Sequence, residues 1–115
     1  MTVCIFCKIA TGEIPAQIIA RNEHAIAFAD QNPQAPTHVL VIPVAHLSSA
    51  ADATGAEGRR ILGEVTALGV EVAATLGLAG RGYRMVINTG SDGGQSVGHL
   101  HLHVLGGRQL HWPPG

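Results

Sequence analysis

The run His99-Leu100-His101-Leu102-His103-Val104, followed by Leu105 and the pair Gly106-Gly107, carries a histidine at every second position. In a β-strand successive side chains point to opposite faces, so the spacing predicts that the three imidazoles share one face while Leu100, Leu102 and Val104 line the other. One face then serves a core and the other serves chemistry. Packing readily accounts for a single strand histidine but poorly for three, because each ring carries nitrogens that need hydrogen bonds once water is removed. Three imidazoles, titrating near neutrality, can divide the roles of nucleophile, proton donor and cation; they can also ligate a metal or form a solvated polar row. The run is read as the candidate site and as the last strand of the fold.

Working outward, the loop Gly90-Ser91-Asp92-Gly93-Gly94-Gln95-Ser96 leads into the histidine strand. Glycines let backbone N–H groups approach a phosphate oxygen, and Gly93, Gly94 and Ser96 suit that use. The Ser96 hydroxyl can also serve a leaving group, or bond its own backbone as turn serines do. Tyr83 to Asn88 reads as a fourth strand. If it pairs antiparallel with the histidine strand, Asn88 lies beside the imidazoles and its amide can hold a phosphoryl oxygen.

Between Ala56 and Leu76 the residues Ile61, Leu62, Val65, Leu68, Val72 and Leu76 recur at helical spacing, with Arg59, Arg60, Glu64 and Glu71 off the stripe. This predicts one long helix, stopped by Gly77 and Gly80. Nearer the start, Ile5 to Ala10 reads as a short helix ended by Gly12, and Ala16 to Ala20, Ala25 to Ala29 and Val39 to Ile42 read as strands. The prolines of Gln31-Asn32-Pro33-Gln34-Ala35-Pro36 make a turn between the second and third of these. Asp30, before that turn, either caps it or accepts from two ribose hydroxyls. Grouped strands with one long helix, without βαβ alternation, predict an α+β fold whose antiparallel sheet is covered on one face.

The totals bound the function. A chain of 115 residues reads as a single domain, 1–115. Charged residues make up only 13% against 46% hydrophobic, which leaves apolar surface that a subunit interface would cover. A net charge of -1 supplies no basic patch for nucleic acid. From Met1-Thr2-Val3-Cys4 onward there is no leader-like segment and no run long enough to cross a bilayer, so a cytoplasmic location is expected, with no membrane partner. The only cysteines, Cys4 and Cys7, form a CxxC pair, which in that compartment points to metal or redox chemistry.

The run from His99 to Leu105 resembles the signature of the histidine triad family, His-φ-His-φ-His-φ-φ with φ apolar. The segments KIATGEIPA, PQAPTHVLVIP, GYRMVINTG, SDGGQSV and GGRQLHWPPG resemble its histidine triad nucleotide-binding branch over nearly the whole chain. That resemblance implies a five-stranded antiparallel sheet with one long helix and a short N-terminal helix, joined across a homodimer into a ten-stranded sheet. It implies hydrolysis of purine nucleoside phosphoramidates to a nucleoside monophosphate and an amine, with no cofactor for catalysis. By position, His101 is the implied nucleophile, His103 and Asn88 hold phosphoryl oxygens, His99 and His38 support the site, and Ser96 assists amine departure. Asp30 matches the ribose-binding aspartate, and Phe6, Ile9 and Phe28 match the walls of the base pocket. Gly94, Gln95 and Val97 fall in the substrate-binding loop, and Trp112 in a C-terminal segment that reaches toward the partner's site. A histidine at 103 matches hydrolases of the family, where related nucleotidyl transferases carry glutamine. Ala29 and Gln31 stand where animal members have a histidine and an isoleucine, and Gly98 where they have an aromatic residue.

The CxxC pair resembles that of bacterial members, in which two cysteines and two histidines hold zinc. The implied set is Cys4, Cys7, His46 and His99, a tetrahedral structural site. Two buried reduced thiols are the alternative. His24 is read as a surface histidine. Besides the hydrolase, a non-catalytic nucleotide-binding scaffold fits the same pocket. A metal-dependent hydrolase is disfavoured because no carboxylate stands in sequence to complete a catalytic metal set.

Overall fold

The computed structural model describes residues 4–115; Met1, Thr2 and Val3, where the N-terminal reading begins, lie outside them. A short helix α1 (Ile5–Ala10) leads into strands β1 (Ile18–Arg21), β2 (Ala25–Ala29) and β3 (Thr37–Pro43). A 3₁₀ turn at Ala50–Asp52 precedes the long helix α2 (Gly55–Thr75), and β4 (Tyr83–Val86) and β5 (Leu102–Gly106) complete the sheet. The five strands are ordered β1-β2-β3-β5-β4 and every neighbouring pair is antiparallel.

Each helix stops where its sequence directs. After α2, Gly77 takes φ +77°, which the missing Cβ permits, and its N–H donates to the Ala74 carbonyl while the Leu78 N–H donates to that of Ala73. Leu78 is then buried, closing the apolar contact such a cap brings. At the other end of the fold the Cys4 sulfur caps α1 by accepting from the Cys7 N–H at 3.3 Å.

Helix α2 lays Val65, Leu68, Val72 and Ala73 on one face of the sheet, against Ala25, Ala27, Val39, Val41, Leu102 and Val104. Full burial of each aliphatic side chain contributes about 1.5–3 kcal/mol. Helix and sheet approach closely at Gly69, where a Cβ would come within 2.7 Å of Leu102. The expectation of a sheet covered on one face is corrected here. The runs Ala25–Ala29 and Thr37–Pro43 are apolar on both faces, and α1 covers the second by packing Phe6 and Ile9 on Ile26, Phe28, Leu40 and Ile42.

The last strand is also shorter than the sequence reading. Register pairs Val41 with Leu102, so Leu100 falls opposite Pro43, which has no N–H to continue the ladder. The Leu100 N–H donates instead to the Leu47 carbonyl at 2.7 Å, and His99 to His101 precede the strand. The alternation nevertheless survives. Leu102 and Val104 face α2, whereas the rings of His99 and His101 both lie against Phe6 of α1. Strand β4 ends at Val86, two residues before Asn88, and β1 begins at Ile18, two residues after Ala16. Among the described residues no helix is long and apolar enough to cross a membrane.

Candidate active site

Between α1 and the second face of the sheet lies a cavity of about 590 Å³. Phe6, Ile9, Ile14, Phe28 and Leu40 form its apolar wall, and His101, His103, Ser96 and Asp30 present its polar side. Ala29, Gln31 and Val97 also line it. Phe6 stands edge-on to Phe28 at 5.6 Å and to His101 at 5.2 Å, so one aromatic ring joins the apolar wall to the imidazoles.

Hydrogen-bond polarity assigns the protons on the rings. The His99 carbonyl lies 2.8 Å from His101 Nδ1, and a carbonyl can only accept. His101 Nδ1 therefore carries the hydrogen, and in the neutral ring Nε2 keeps its lone pair. His38 shows the opposite arrangement. The Gln34 N–H donates to His38 Nδ1 at 3.0 Å, so the hydrogen of the neutral ring is on Nε2. His38 Nε2–H then donates to His103 Nδ1 at 2.9 Å, with the Asp30 carboxylate farther off at 3.4 Å. With its Nδ1 accepting, His103 carries its hydrogen on Nε2. That atom is buried without a partner among the described residues, so the protein itself leaves a donor unsatisfied there.

Burial disfavours the charged form of His103 and His38. It holds the His103 pKa down to about 4, reinforced by the neighbouring His101 and His38. Burial also lowers that of His38, against the opposing pull of Asp30. In this hydrogen-bond arrangement, a His101 ring with its lone pair on Nε2 is a nucleophile and a His103 ring with a bare Nε2–H is an acceptor-seeking donor.

His99 belongs elsewhere. Its Nε2 lies 3.1 Å from the Pro43 carbonyl and must donate to it, leaving a lone pair on Nδ1. That Nδ1 faces the sulfurs of Cys4 at 3.3 Å and Cys7 at 3.5 Å, and His46 Nδ1 at 3.1 Å. The four donor atoms lie within 4.8 Å of one another. Two sulfurs, a nitrogen lone pair and a second imidazole converging this closely are the donor set that suits zinc, and the His99 N–H bonded to a carbonyl is the outer support that ligating histidines use. The residues fit the metal. Burial, with the hydrogen bond and charge of Cys4 adding to it, pushes the Cys7 thiol pKa up, and binding a cation would reverse this.

The remaining residues divide. Asp30 Oδ1 accepts from the Asn32 N–H at 2.8 Å, so this aspartate does cap its turn while still lining the cavity. It also stands within 4.8 Å of His38 and His103 donor atoms, correcting the expectation that no carboxylate could join the histidines; the two rings there already bond each other directly. The glycine loop has a different internal use from the one read in it. The Gly94 N–H donates to the Ser91 carbonyl, and the Gln95 side chain accepts from the Gly90 N–H and donates to the Ser48 and Val97 carbonyls. Neither residue lines the cavity. Asn88 is half-buried and lies two residues beyond the end of β4, outside the paired ladder. Trp112 is 82% exposed, away from the cavity. His24 forms a surface group with Glu23 and Arg60. Sequence reasoning missed Ile14, Leu40, the Pro43 carbonyl and the Gln34 N–H; the last two are backbone groups and leave no signal in residue type.

Known proteins resemble this chain throughout its length. A 14 kDa zinc-binding protein of Zea mays is 47% identical over 112 residues, covering 96% of this chain and 87% of the relative. The crystal structure of a HIT family hydrolase from Legionella pneumophila Philadelphia 1 superposes with a TM-score of 0.94 at 46% identity, over 98% of this chain and 100% of that one. The histidine triad nucleotide-binding protein of Candida albicans gives a TM-score of 0.82 at 28% identity, over 96% and 83% of the two chains. The HIT domain matches residues 11–110, and the chain belongs to the HIT domain family.

Proposed function

We propose that this chain is a nucleoside phosphoramidase of the histidine triad nucleotide-binding branch, cleaving a phosphorus–nitrogen bond through a covalent nucleotidyl-histidine. The observation that carries this is the pair of complementary imidazoles at one cavity: a lone pair on His101 Nε2 and an unpartnered N–H on His103 Nε2. The similarity to a HIT family hydrolase and to a nucleotide-binding histidine triad protein supports the reading.

His101 Nε2 attacks phosphorus while the bond to the leaving nitrogen breaks. The amine departs with a proton taken from solvent and relayed by the Ser96 hydroxyl, and the nucleotidyl group stays on His101, whose Nδ1–H continues to donate to the His99 carbonyl. Water then attacks phosphorus and returns a proton to solvent as the bond from phosphorus to His101 Nε2 breaks, releasing the nucleoside monophosphate and restoring the free ring. Splitting one displacement into two lowers each barrier. His103 Nε2–H, with the Asn88 amide, would donate to the non-bridging oxygens as charge builds on them, the role of a preorganised anion site. Asp30 would accept from the ribose hydroxyls, and Phe6, Ile9 and Phe28 would hold a purine base. Gly94 and Gln95 would then act by shaping the loop that carries Ser96 and Val97.

A homodimer belongs to the same proposal, with two sheets joined into one of ten strands and Trp112 reaching the partner's site. Zinc held by Cys4, Cys7, His46 and His99 would serve structure and supply no chemistry to the substrate. The proposed setting is cytoplasmic, with neither nucleic acid nor membrane as partner.

The test is release of AMP from adenosine 5′-phosphoramidate by the wild type and by His101→Ala, each with and without chelator. Turnover by the wild type that vanishes in the variant, while AMP still binds, is the expected result. AMP binding without any wild-type turnover would overturn the enzyme reading in favour of a nucleotide-binding scaffold.

A further inference from the structure

Among the described residues six with polar side chains line the cavity, and four of them, Asp30, Ser96, His101 and His103, already have roles in the proposed reaction. The other two are Gln17 and Gln31. The chain's three remaining glutamines spend their amides on backbone: Gln34 donates to the Asn32 carbonyl, Gln95 to those of Ser48 and Val97, and Gln109 to that of Leu110. The carboxamides of Gln17 and Gln31 have no such partner among the described residues, so their donors and acceptors are left for water or a ligand. Their backbones are nevertheless held. The Gln17 carbonyl accepts from the Ala29 N–H at 3.0 Å. Gln31 lies between Asp30, whose N–H donates to the His38 carbonyl at 3.0 Å, and Asn32, whose N–H donates to Asp30 Oδ1 at 2.8 Å. Both glutamines therefore adjoin the stretch Phe28 to Asp30, which supplies part of the base wall and the ribose acceptor.

A purine has two apolar faces and a polar edge. Phe6, Ile9 and Phe28 can cover a face but offer the edge nothing, and an edge stripped of water without partners weakens binding. A carboxamide supplies an acceptor and a donor side by side. It matches the 6-amino group and N1 of adenine and, turned over, the 6-oxo group and N1–H of hypoxanthine or guanine. An acceptor-only carboxylate or a donor-only ammonium would satisfy half of either edge. We infer that Gln17 and Gln31 are specificity-determining residues whose carboxamides read the edge of the purine at position 6, taking 6-amino and 6-oxo bases alike and disfavouring a base with no 6-substituent. The inference deepens the proposed function and rests on its placement of a nucleotide in this cavity. Both side chains are exposed and trade these bonds against water, so the expected size is that of one net hydrogen bond, about fivefold in affinity.

The experiment uses three nucleotides that differ only around position 6: AMP, inosine 5′-monophosphate and purine riboside 5′-monophosphate. Calorimetry measures Kd for each on the wild type, on Gln17→Met, on Gln31→Met and on the double variant, methionine keeping the length of the side chain without its amide. In the wild type, AMP and inosine 5′-monophosphate should bind within about twofold of each other, and purine riboside 5′-monophosphate about fivefold more weakly than both. In the double variant all three should converge to within about twofold, with each single variant losing part of the discrimination. The ratio of kcat/KM for adenosine 5′-phosphoramidate to that for its purine riboside counterpart should shrink by the same factor, with kcat nearly unchanged. Equal binding of AMP and purine riboside 5′-monophosphate by the wild type, or a double variant that keeps the gap, overturns the inference and leaves the phosphoramidase reading intact. Discrimination that the double variant abolishes, in a protein that hydrolyses no phosphoramidate, supports the inference and sinks the enzyme reading. Failure to bind any of the three nucleotides overturns both.

Discussion

His99 and His103 lie four residues apart on one run, yet their rings are wired in opposite senses. His103, which lines the cavity, has its Nδ1 satisfied by His38 and leaves a buried N–H without a partner among the described residues; His99 has its N–H satisfied by Pro43 and leaves a lone pair facing two sulfurs. A free N–H recruits an anion, whereas a free lone pair recruits a cation. The same side chain thus suits a phosphoryl group at one end of the run and a metal at the other. What decides is the second nitrogen's partner, and in both cases that partner comes from β3.

The sharpest way to break the contrast is to remove the ring between the two sites. His101→Ala should lower turnover of adenosine 5′-phosphoramidate by at least about 10³-fold, with AMP affinity changed only a few-fold by calorimetry. At the anion end, His103→Ala should cost about 10²-fold in turnover, and His103→Gln, which restores an N–H, should recover about tenfold of that in steady-state assays. At the cation end, Cys4→Ser with Cys7→Ser should abolish the equimolar zinc expected in the wild type by metal analysis, and lower unfolding free energy in urea by several kcal/mol.

Acid should separate the two ends more gently. The His103 pKa is lowered from 6.5 to about 4 in the native state, chiefly by burial. Its contribution to stability is full above pH 6.5, where both states hold a neutral ring. As pH falls through 6.5 towards about 4 the unfolded chain takes a proton that the native chain refuses, and about 2 kcal/mol should be lost across that window. Urea titrations of zinc-loaded His103→Gln should lack this component of the slope. The smallest effect is expected at the ribose end, where Asp30→Asn should raise KM for the phosphoramidate about threefold to tenfold with kcat nearly unchanged, since a single hydrogen bond is worth about 1 kcal/mol.

The parts of this arrangement that were legible in the sequence are those encoded by period. The 3.6-residue spacing of Ile61, Val65, Leu68 and Val72 gave α2, and the twofold spacing of the histidines gave their common side against Leu102 and Val104. The CxxC spacing pointed to metal or redox chemistry by itself, its His46 and His99 partners came through family resemblance, and the fold does bring those donors together across 95 residues of chain. Illegible were the contacts made by backbone. That Pro43 would stop the ladder and turn its carbonyl to His99, and that the Gln34 N–H would set the polarity of His38 and so of His103, depends on three-dimensional register and not on residue type. The second apolar face was also hidden, because β2 and β3 read as uniformly hydrophobic and uniform runs carry no face information.

Gln95 has a consequence for the tempo of binding. Its amide joins the Gly90, Val97 and Ser48 backbones, lashing the glycine loop to itself and to the segment after β3. A loop bound at three points has little conformational entropy left to lose when a ligand arrives. Ligand capture should then be governed by how often a correctly oriented molecule reaches an already open mouth, with no slow closing step to saturate the observed rate as concentration rises.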